Sequence, residues 1–349
     1  MRLNILLNQR KCVDNFGGGK RTITQNELLS EQTEYIVVAS SEDVYWEIRK
    51  TLLNMGLEEF QDFCYWELFE KKIAVIYGNC HTTAIKLWLQ QSNEFNNEYG
   101  FYPLRPIQNI NNDKLDDLES TVFENCDLFI HQSIRDDNPY GIRYASKNII
   151  KALKNDCSII AVPNLYGLPK FLYPQTEADL NPKLIEGKNY YPFRDKYLEK
   201  ELRSKKSIDE TVSMILYSEI TSKSEINNSK DTFFDKIKIR EKDWDVEISD
   251  WMYEELSNLP LFYDQNHPTN EVIKYIANAV LRKLGYKEVY IDIGYRMDSF
   301  EIPTYGDVCH KLGLNYSTQN ILRQYSKHSL QRQVMTLEQY VYEYFLWYS

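Results

Sequence analysis

Two short stretches, far apart in the chain, carry residue types that can do chemistry together. The first is Tyr77-Gly78-Asn79-Cys80-His81, between the apolar run Ile73–Tyr77 and a stretch of helical spacing, TTAIKLWLQ. The second is Asp264-Gln265-Asn266-His267-Pro268. The pattern puts Cys80 in the first turn of a helix. There, unpaired N–H groups and the positive end of the helix dipole lower a thiol's pKa and can hold a developing oxyanion. Gly78 permits a tight turn, and Asn79 can brace it by hydrogen-bonding locally. Asp264, three residues before His267, is within reach of the imidazole Nδ1. That contact would fix the tautomer and leave Nε2 for proton transfer. Pro268 is expected to start the next helix. A thiol after an early strand and Asp-x-x-His before a late helix give nucleophile, base and orienting carboxylate in chain order. Each motif alone has a plain reading, an inert buried cysteine and a helix-start histidine satisfied by a carbonyl. Together they favour catalysis.

The elements that must hold these residues are legible from periodicity. The stretch 34–40 reads as a strand. A helix follows, with Ser41 as N-cap, Val44, Ile48, Leu52 and Met55 as its apolar face, and Gly56 as its stop. From Lys71 the spacing predicts a strand at 73–77, a helix at about 81–92 and an extended piece at 100–107. A short helix near 113–119, a strand at 127–131, an amphipathic helix near 142–154 and a strand at 157–163 follow. Apolar strands alternating with helices imply a parallel sheet covered on both faces. The region 176–260 reads as mostly helical, with a capping box at Ser207 and Glu210 and a loop at 222–231. A helix over 271–285 carries Val272, Ile276, Val280 and Leu284 on one stripe and ends at Gly285. These spans suggest an N-terminal appendage with one βα unit (1–66), a catalytic α/β domain (67–290) and a helical C-terminal extension (291–349).

Bulk composition narrows the function classes. With 43% apolar residues a sizeable core can form, and 26% charged residues match an ordinary soluble protein. A net charge of -10 argues against non-specific nucleic-acid binding, which needs a basic surface. The N-terminal stretch lacks the apolar core and cleavage site of a signal peptide, and no run approaches the roughly 20 apolar residues that span a bilayer. A cytoplasmic location is the expectation. Cys12, Cys64, Cys80, Cys126, Cys157 and Cys309 form no C-x-x-C pair, so no zinc or dithiol-redox spacing is present. No metal is expected, and a reducing compartment disfavours disulfides. The stretch Phe16–Thr22, FGGGKRT, imitates a phosphate-binding loop. Asp14 stands where its first glycine belongs and Arg21 where its Ser or Thr belongs, so it reads as a glycine turn.

The order Gly-x-nucleophile near the first strand of the domain and Asp-x-x-His-Pro near its end resembles the SGNH (GDSL-type) hydrolase architecture, with Gly78-Asn79-Cys80 in place of Gly-Asp-Ser. More specifically, YGNCHTTAIKLWL, CDLFIHQSIRDD, VPNLYGLPKFLYPQ, NHPTNEVIKYIANAVL and FEIPTYGDVCHKLGL resemble the WcbI-type polysaccharide biosynthesis acetyltransferases, over about 71 to 315. The resemblance implies an α/β fold. This would be an SGNH- or flavodoxin-like three-layer sandwich around a central parallel sheet, with an extra helical C-terminal lobe. It also implies a cytoplasmic enzyme that takes coenzyme A or acetyl-CoA as acyl donor and acylates a sugar of a capsular or other surface polysaccharide. Gln132, closing the strand DLFIHQ at the same sheet edge as Cys80, is the candidate side-chain donor of an oxyanion hole. Arg135 and Arg143 flank that edge and are candidates for coenzyme A phosphates. Gly78 and Lys170 join them on the donor side, and Tyr166, Lys170 and Tyr173 are candidates to line an acceptor groove. His81 stands where members of that family often carry Gln. It is a candidate donor contact and a second imidazole beside Cys80. His267 is preferred as base because Asp264 orients it, and a helix N-terminus holds His81 neutral.

Two other classes fit the same residues. An SGNH-like esterase or thioesterase would use water as acceptor, with cysteine an unusual nucleophile there. A non-catalytic coenzyme A or glycan module would use the acidic N-terminal segment and the helical tail for contacts with a second copy or a biosynthetic-complex partner.

Overall fold

The computed structural model describes residues 3–7, 21–23, 35–109, 120–165, 169–178, 184–185, 188–189, 193–291, 301–316, 320–324 and 332–348. The glycine turn at 16–20, the helix expected near 113–119 and Tyr166 lie outside these residues. The chain divides into two compact units, 1–162 with 277–291, and 163–276 with 292–349.

The first unit holds two parallel sheets. Strands β1 (Leu3–Leu7), β2 (Arg21–Ile23), β3 (Tyr35–Ala39) and β4 (Phe63–Tyr65) pair in the order β2-β1-β3-β4. The segment 1–66 thus carries four strands where the periodicity suggests one βα unit. The central sheet is β5 (Lys72–Tyr77), β6 (Tyr99–Phe101), β7 (Leu128–Gln132) and β8 (Ser158–Val162), ordered β6-β5-β7-β8 and parallel throughout. β7 is buried at every position, as continuous apolar strands of covered parallel sheets are. Helices α1 (Glu42–Asn54), α2 (Cys80–Leu89), α3 (Asn93–Glu98), α4 (Ser120–Glu124) and α5 (Ser146–Ile150) belong to this unit. The α/β class with a central parallel sheet is as expected.

Two local differences have physical causes. α1 buries Tyr45, Arg49 and Leu52 rather than the stripe Val44, Ile48, Leu52 and Met55; Met55 is exposed. The cause is Glu59, which is buried and must be paired. Arg49 Nε lies 2.7 Å from it, and the Tyr45 hydroxyl also donates to it. The helix expected near 142–154 is a 3-10 turn, Ile142–Tyr144, followed by the short α5, with Ala145 extended between them (ψ 133). Ser146 pins this break to the end of β7. Its hydroxyl donates to the Gln132 carbonyl (2.8 Å) and accepts from the Ile134 N–H (2.8 Å).

The second unit is mainly helical, with small antiparallel pairs. β9 (Thr176–Ala178) pairs with β12 (Phe193–Asp195), and β10 (Leu184–Ile185) with β11 (Lys188–Asn189). Helices α6 (Lys196–Arg203), α7 (Ile208–Tyr217), α8 (Lys223–Glu241) and α9 (Ser249–Glu255) precede α10 (Asn270–Lys283), within which the chain passes from the second unit to the first. The stretch 222–231, expected as a loop, lies almost wholly in α8. Ser222 and Glu225 form a second full capping box, and Ile226, Phe233, Phe234 and Ile237 bury one face. The polar Asn-Asn-Ser run hides that period. Gly285, in the left-handed region (φ 79), follows α10 as expected. The C-terminal part contains α11 (Gly306–Leu312), an unforeseen hairpin of β13 (Asn320–Gln324) and β14 (Arg332–Thr336), and α12 (Leu337–Tyr348). Among the described residues no helix is long and apolar enough to cross a membrane.

Candidate active site

The thiol motif is built where β5 becomes α2. Tyr77 stands opposite His131 in the β5–β7 register, so the turn at Gly78 meets Gln132 at the carboxyl edge of the sheet. In open parallel sheets that edge is where ligands bind. Gly78 is required by this approach: a Cβ there would sit 2.4 Å from Gln132 Oε1 and 2.7 Å from Thr82 Cγ2. The Gln132 carboxamide, fully buried, accepts the Asn79 N–H at 2.9 Å. Asn79 is the N-cap of α2, and its side chain accepts the His81 N–H at 2.9 Å. Two further contacts tighten the turn: Thr82 Oγ1 donates to the Asn79 carbonyl (2.7 Å), and the Ile107 N–H donates to the Gly78 carbonyl (2.8 Å). Nothing in the motif itself points to Ile107, because that contact comes from the segment after β6.

Cys80 is therefore the first residue of α2, and it is half-buried rather than sealed in the core. Among the described residues its backbone N–H has no hydrogen-bond partner, as expected at the first position of a helix. That N–H is available to an oxyanion forming beside the thiol. His81 is buried, with 1% of its surface exposed, among the core-facing residues of α2. Gln132 has its carboxamide oxygen committed to the turn, so its first role here is to brace Asn79. Arg135 and Arg143 follow β7 at the same edge. Both are exposed. Arg135 pairs with Asp137 at 2.7 Å, and Arg143 lies over the Tyr144 ring at 5.0 Å.

The imidazole motif belongs to the second unit and lies in the turn before α10. Asp264 is buried, and its Oδ2 is 2.8 Å from His267 Nδ1. Its Oδ1 accepts the N–H groups of Asn266 (2.6 Å) and His267 (2.9 Å), so one carboxylate orders both the turn and the ring. With Nδ1–H donating to Asp264, Nε2 carries the lone pair. The turn is closed by the Tyr263 N–H donating to the His267 carbonyl at 2.9 Å and by a bridge between Phe262 and Pro268. Pro268 thus belongs to that bridge, and α10 begins at Asn270 rather than at the proline. The side chain of His267 keeps 28% of its surface exposed.

Residues from 173 to 176 support this turn from beneath. The Tyr173 hydroxyl donates to the Phe262 carbonyl at 2.8 Å. Gln265 Nε2 donates to the Thr176 carbonyl at 3.3 Å and to the Thr176 hydroxyl. The Ile302 N–H donates to the Tyr263 carbonyl at 2.9 Å. Tyr173, expected in an acceptor groove, is buried, and its hydroxyl serves as a prop for the Phe262 carbonyl. Lys170 is exposed. Among the described residues no cluster of His, Cys, Asp and Glu is arranged to hold a metal ion.

Comparison with known proteins adds a family. The model for "Polysaccharide biosynthesis enzyme WcbI" matches residues 73–289, more than half of the chain and inclusive of both motifs. No curated protein matches. Among solved structures, one of WcbI superposes with a TM-score of 0.63 at 17% identity, covering 80% of this chain and 90% of that one. That protein is described as a novel polysaccharide biosynthesis enzyme, in a native form without a disulfide bond between coenzyme A and a cysteine. At this identity the likeness speaks for the fold.

Proposed function

The chain belongs to the family of the polysaccharide biosynthesis enzyme WcbI, and we propose that it is an acyl-CoA-dependent acyltransferase that acetylates a sugar hydroxyl of a capsular or other surface polysaccharide. Cys80, His267 and Asp264 carry the reaction. The observation that carries this reading is the Asp264–His267 pair: a buried carboxylate 2.8 Å from Nδ1 is the arrangement a general base needs. The half-buried thiol at the head of α2 supports it. So does the solved WcbI, whose description concerns coenzyme A and a cysteine.

In this reading His267 Nε2 takes the proton of the acceptor hydroxyl as its oxygen attacks the acyl carbon. The Cys80 N–H meets the oxyanion that develops on the former carbonyl oxygen. The intermediate then collapses, the C–S bond breaks, and the departing thiolate takes the proton back from the imidazolium. The acyl group either passes through Cys80 or moves directly from the thioester to the sugar. Release of one equivalent of coenzyme A before any acceptor is added marks the first route. Arg135, Arg143 and Lys170 are the candidates for the donor's phosphates, and Asn79, His81 and Gln132 shape the turn.

The test uses acetyl-CoA labelled in its acetyl group and a capsule-type oligosaccharide. The expected result is label in the oligosaccharide and a melting temperature raised by coenzyme A, since ligand binding stabilises by mass action. No label in the sugar and no thermal shift would overturn the proposal. Label released as acetate with or without the sugar would assign the same residues to hydrolysis.

A further inference from the structure

Beside the thiol turn stands an arginine that the transferase reading does not use. Past β6 the chain continues alongside β5. The Tyr102 N–H donates to the Ala74 carbonyl at 2.8 Å, and the Ile107 N–H donates to the Gly78 carbonyl at 2.8 Å. Arg105 lies between these two contacts, at the carboxyl edge of the sheet where Cys80 begins α2. Pro103 and Pro106 flank it, each with φ fixed by its ring. The Trp46 indole donates to the Pro103 carbonyl at 3.0 Å. The backbone that carries Arg105 is therefore held before any ligand arrives.

The protein satisfies this guanidinium poorly. The side chain keeps only 25% of its surface exposed, and its Nε is buried without a hydrogen-bond partner. Its ion pair is with Asp43, whose carboxylate is 3.6 Å from a terminal nitrogen, beyond hydrogen-bonding distance, and is 89% exposed. A pair of this kind is weak. The neighbouring acid of α1, Glu42, is taken by Lys86. Other arginines of this unit are bound more closely: Arg49 to Glu59 at 2.7 Å and Arg135 to Asp137 at 2.7 Å. A buried donor left without an acceptor costs stability unless an acceptor comes from outside the fold. The fork of a guanidinium matches two oxygens of a phosphate.

From this placement we infer that Arg105 is a phosphate-binding residue of the Cys80 site. Its guanidinium holds a phosphate of the ligand that enters there. The inference rests on the acyltransferase reading, which supplies coenzyme A as that ligand. It puts a phosphate contact on the fixed segment after β6, in addition to the exposed Arg135 and Arg143. A phosphate carries more charge than Asp43 and offers two oxygens to the fork, so it displaces that loose partner.

Thermal shift and calorimetric titration of the full chain compare the wild type, Arg105→Gln and Arg105→Lys. The probes are coenzyme A, inorganic pyrophosphate and pantetheine, which has the thiol arm of coenzyme A without its phosphates. Arg105→Gln should bind coenzyme A about 10- to 100-fold more weakly, the loss expected for a charge-assisted hydrogen bond. Pantetheine should bind both proteins equally. Arg105→Lys keeps the charge without the fork and should fall between them. Without ligand, Arg105→Gln should melt no lower than the wild type, because it removes no hydrogen bond of the fold; a purely structural arginine would lower the melting temperature. A wild type that ignores coenzyme A but is stabilised by pyrophosphate through Arg105 would sink the transferase reading and leave the phosphate contact standing. Unchanged affinity of Arg105→Gln for coenzyme A and pyrophosphate would overturn the inference and leave that reading intact. An equal loss for pantetheine would overturn it too, as would a wild type that responds to neither phosphate probe.

Discussion

Asp264 Oδ2 lies 2.8 Å from His267 Nδ1, and the other oxygen of the same carboxylate accepts two backbone N–H groups of the turn that carries the histidine. The ring's orientation and the turn's shape therefore depend on one buried group, in place before any substrate binds. Preorganisation of this kind removes reorganisation from the reaction step. Asp264→Asn keeps the size of the side chain but presents an amide to the ring and loses the preference for the Nδ1–H tautomer. The expected loss is about 10²–10⁴-fold in kcat, the range for general-base catalysis, with little change in the KM for acetyl-CoA. Steady-state acetyl transfer checks it; an unchanged kcat would remove His267 from the role of base.

At the thiol turn the packing leaves no room for a methyl group. Gly78→Ala introduces a Cβ 2.4 Å from the Gln132 carboxamide, which is fully buried and accepts the Asn79 N–H. Overpacking of this kind costs about 1–3 kcal/mol. It also pushes Gln132 off the Asn79 N–H, so Cys80 should alkylate at an altered rate. Urea unfolding and iodoacetamide kinetics measure the two effects. A variant as stable as the wild type would mean that the close approach at Gly78 does not exist in solution.

The second unit should respond to pH through Asp195. This residue is buried at the start of α6, where the Tyr197 and Leu198 N–H groups and the Tyr305 hydroxyl donate to it. Burial dominates and raises its pKa from 3.8 to about 6. The folded value is above the unfolded one, so the protonated form is the one the fold favours. The stability this lends is fully present below pH 3.8 and is lost as pH rises through about 6. The span corresponds to about 3 kcal/mol. Asp195→Asn keeps an acceptor for the helix cap and cannot ionise. Its stability relative to the wild type should therefore increase as pH rises from about 4 to about 6, by about that amount. A difference that stays constant with pH would contradict the assignment.

Much of the fold and of the site is legible in the chain itself. The strands around Ile73–Tyr77, Leu128–Gln132 and Ser158–Val162 are short, mostly apolar runs of strand length set between stretches of helical spacing, the pattern of a covered parallel sheet. Gly-Asn-Cys and Asp-x-x-His carry their local geometry in three or four residues, which is why Asn79 caps α2 and Asp264 meets His267 as their spacing suggests. What stays hidden depends on distant residues. Glu59 turns Arg49 inward on α1, overriding the simple apolar stripe. Ser146 breaks the expected helix because it bonds to the end of β7. Tyr173 serves as a prop because the Phe262 carbonyl, far away in the chain, needs a donor. The helix α8 escapes a reading of periodicity for a different reason: its cap is explicit at Ser222, but the polar residues after it mask the buried face.

Whether the thiol and the imidazole serve one reaction is tested most directly by a double-mutant cycle. The readout is acetyl transfer from acetyl-CoA to a capsule-type oligosaccharide, with Cys80→Ala, His267→Ala and both together. Residues that act as a unit are strongly non-additive. Each single variant should therefore lose most of the activity, and the double variant should be hardly worse than the poorer single. Losses that multiply independently, or full transfer by His267→Ala, would contradict it, and full transfer by Cys80→Ala would exclude the route through the thiol.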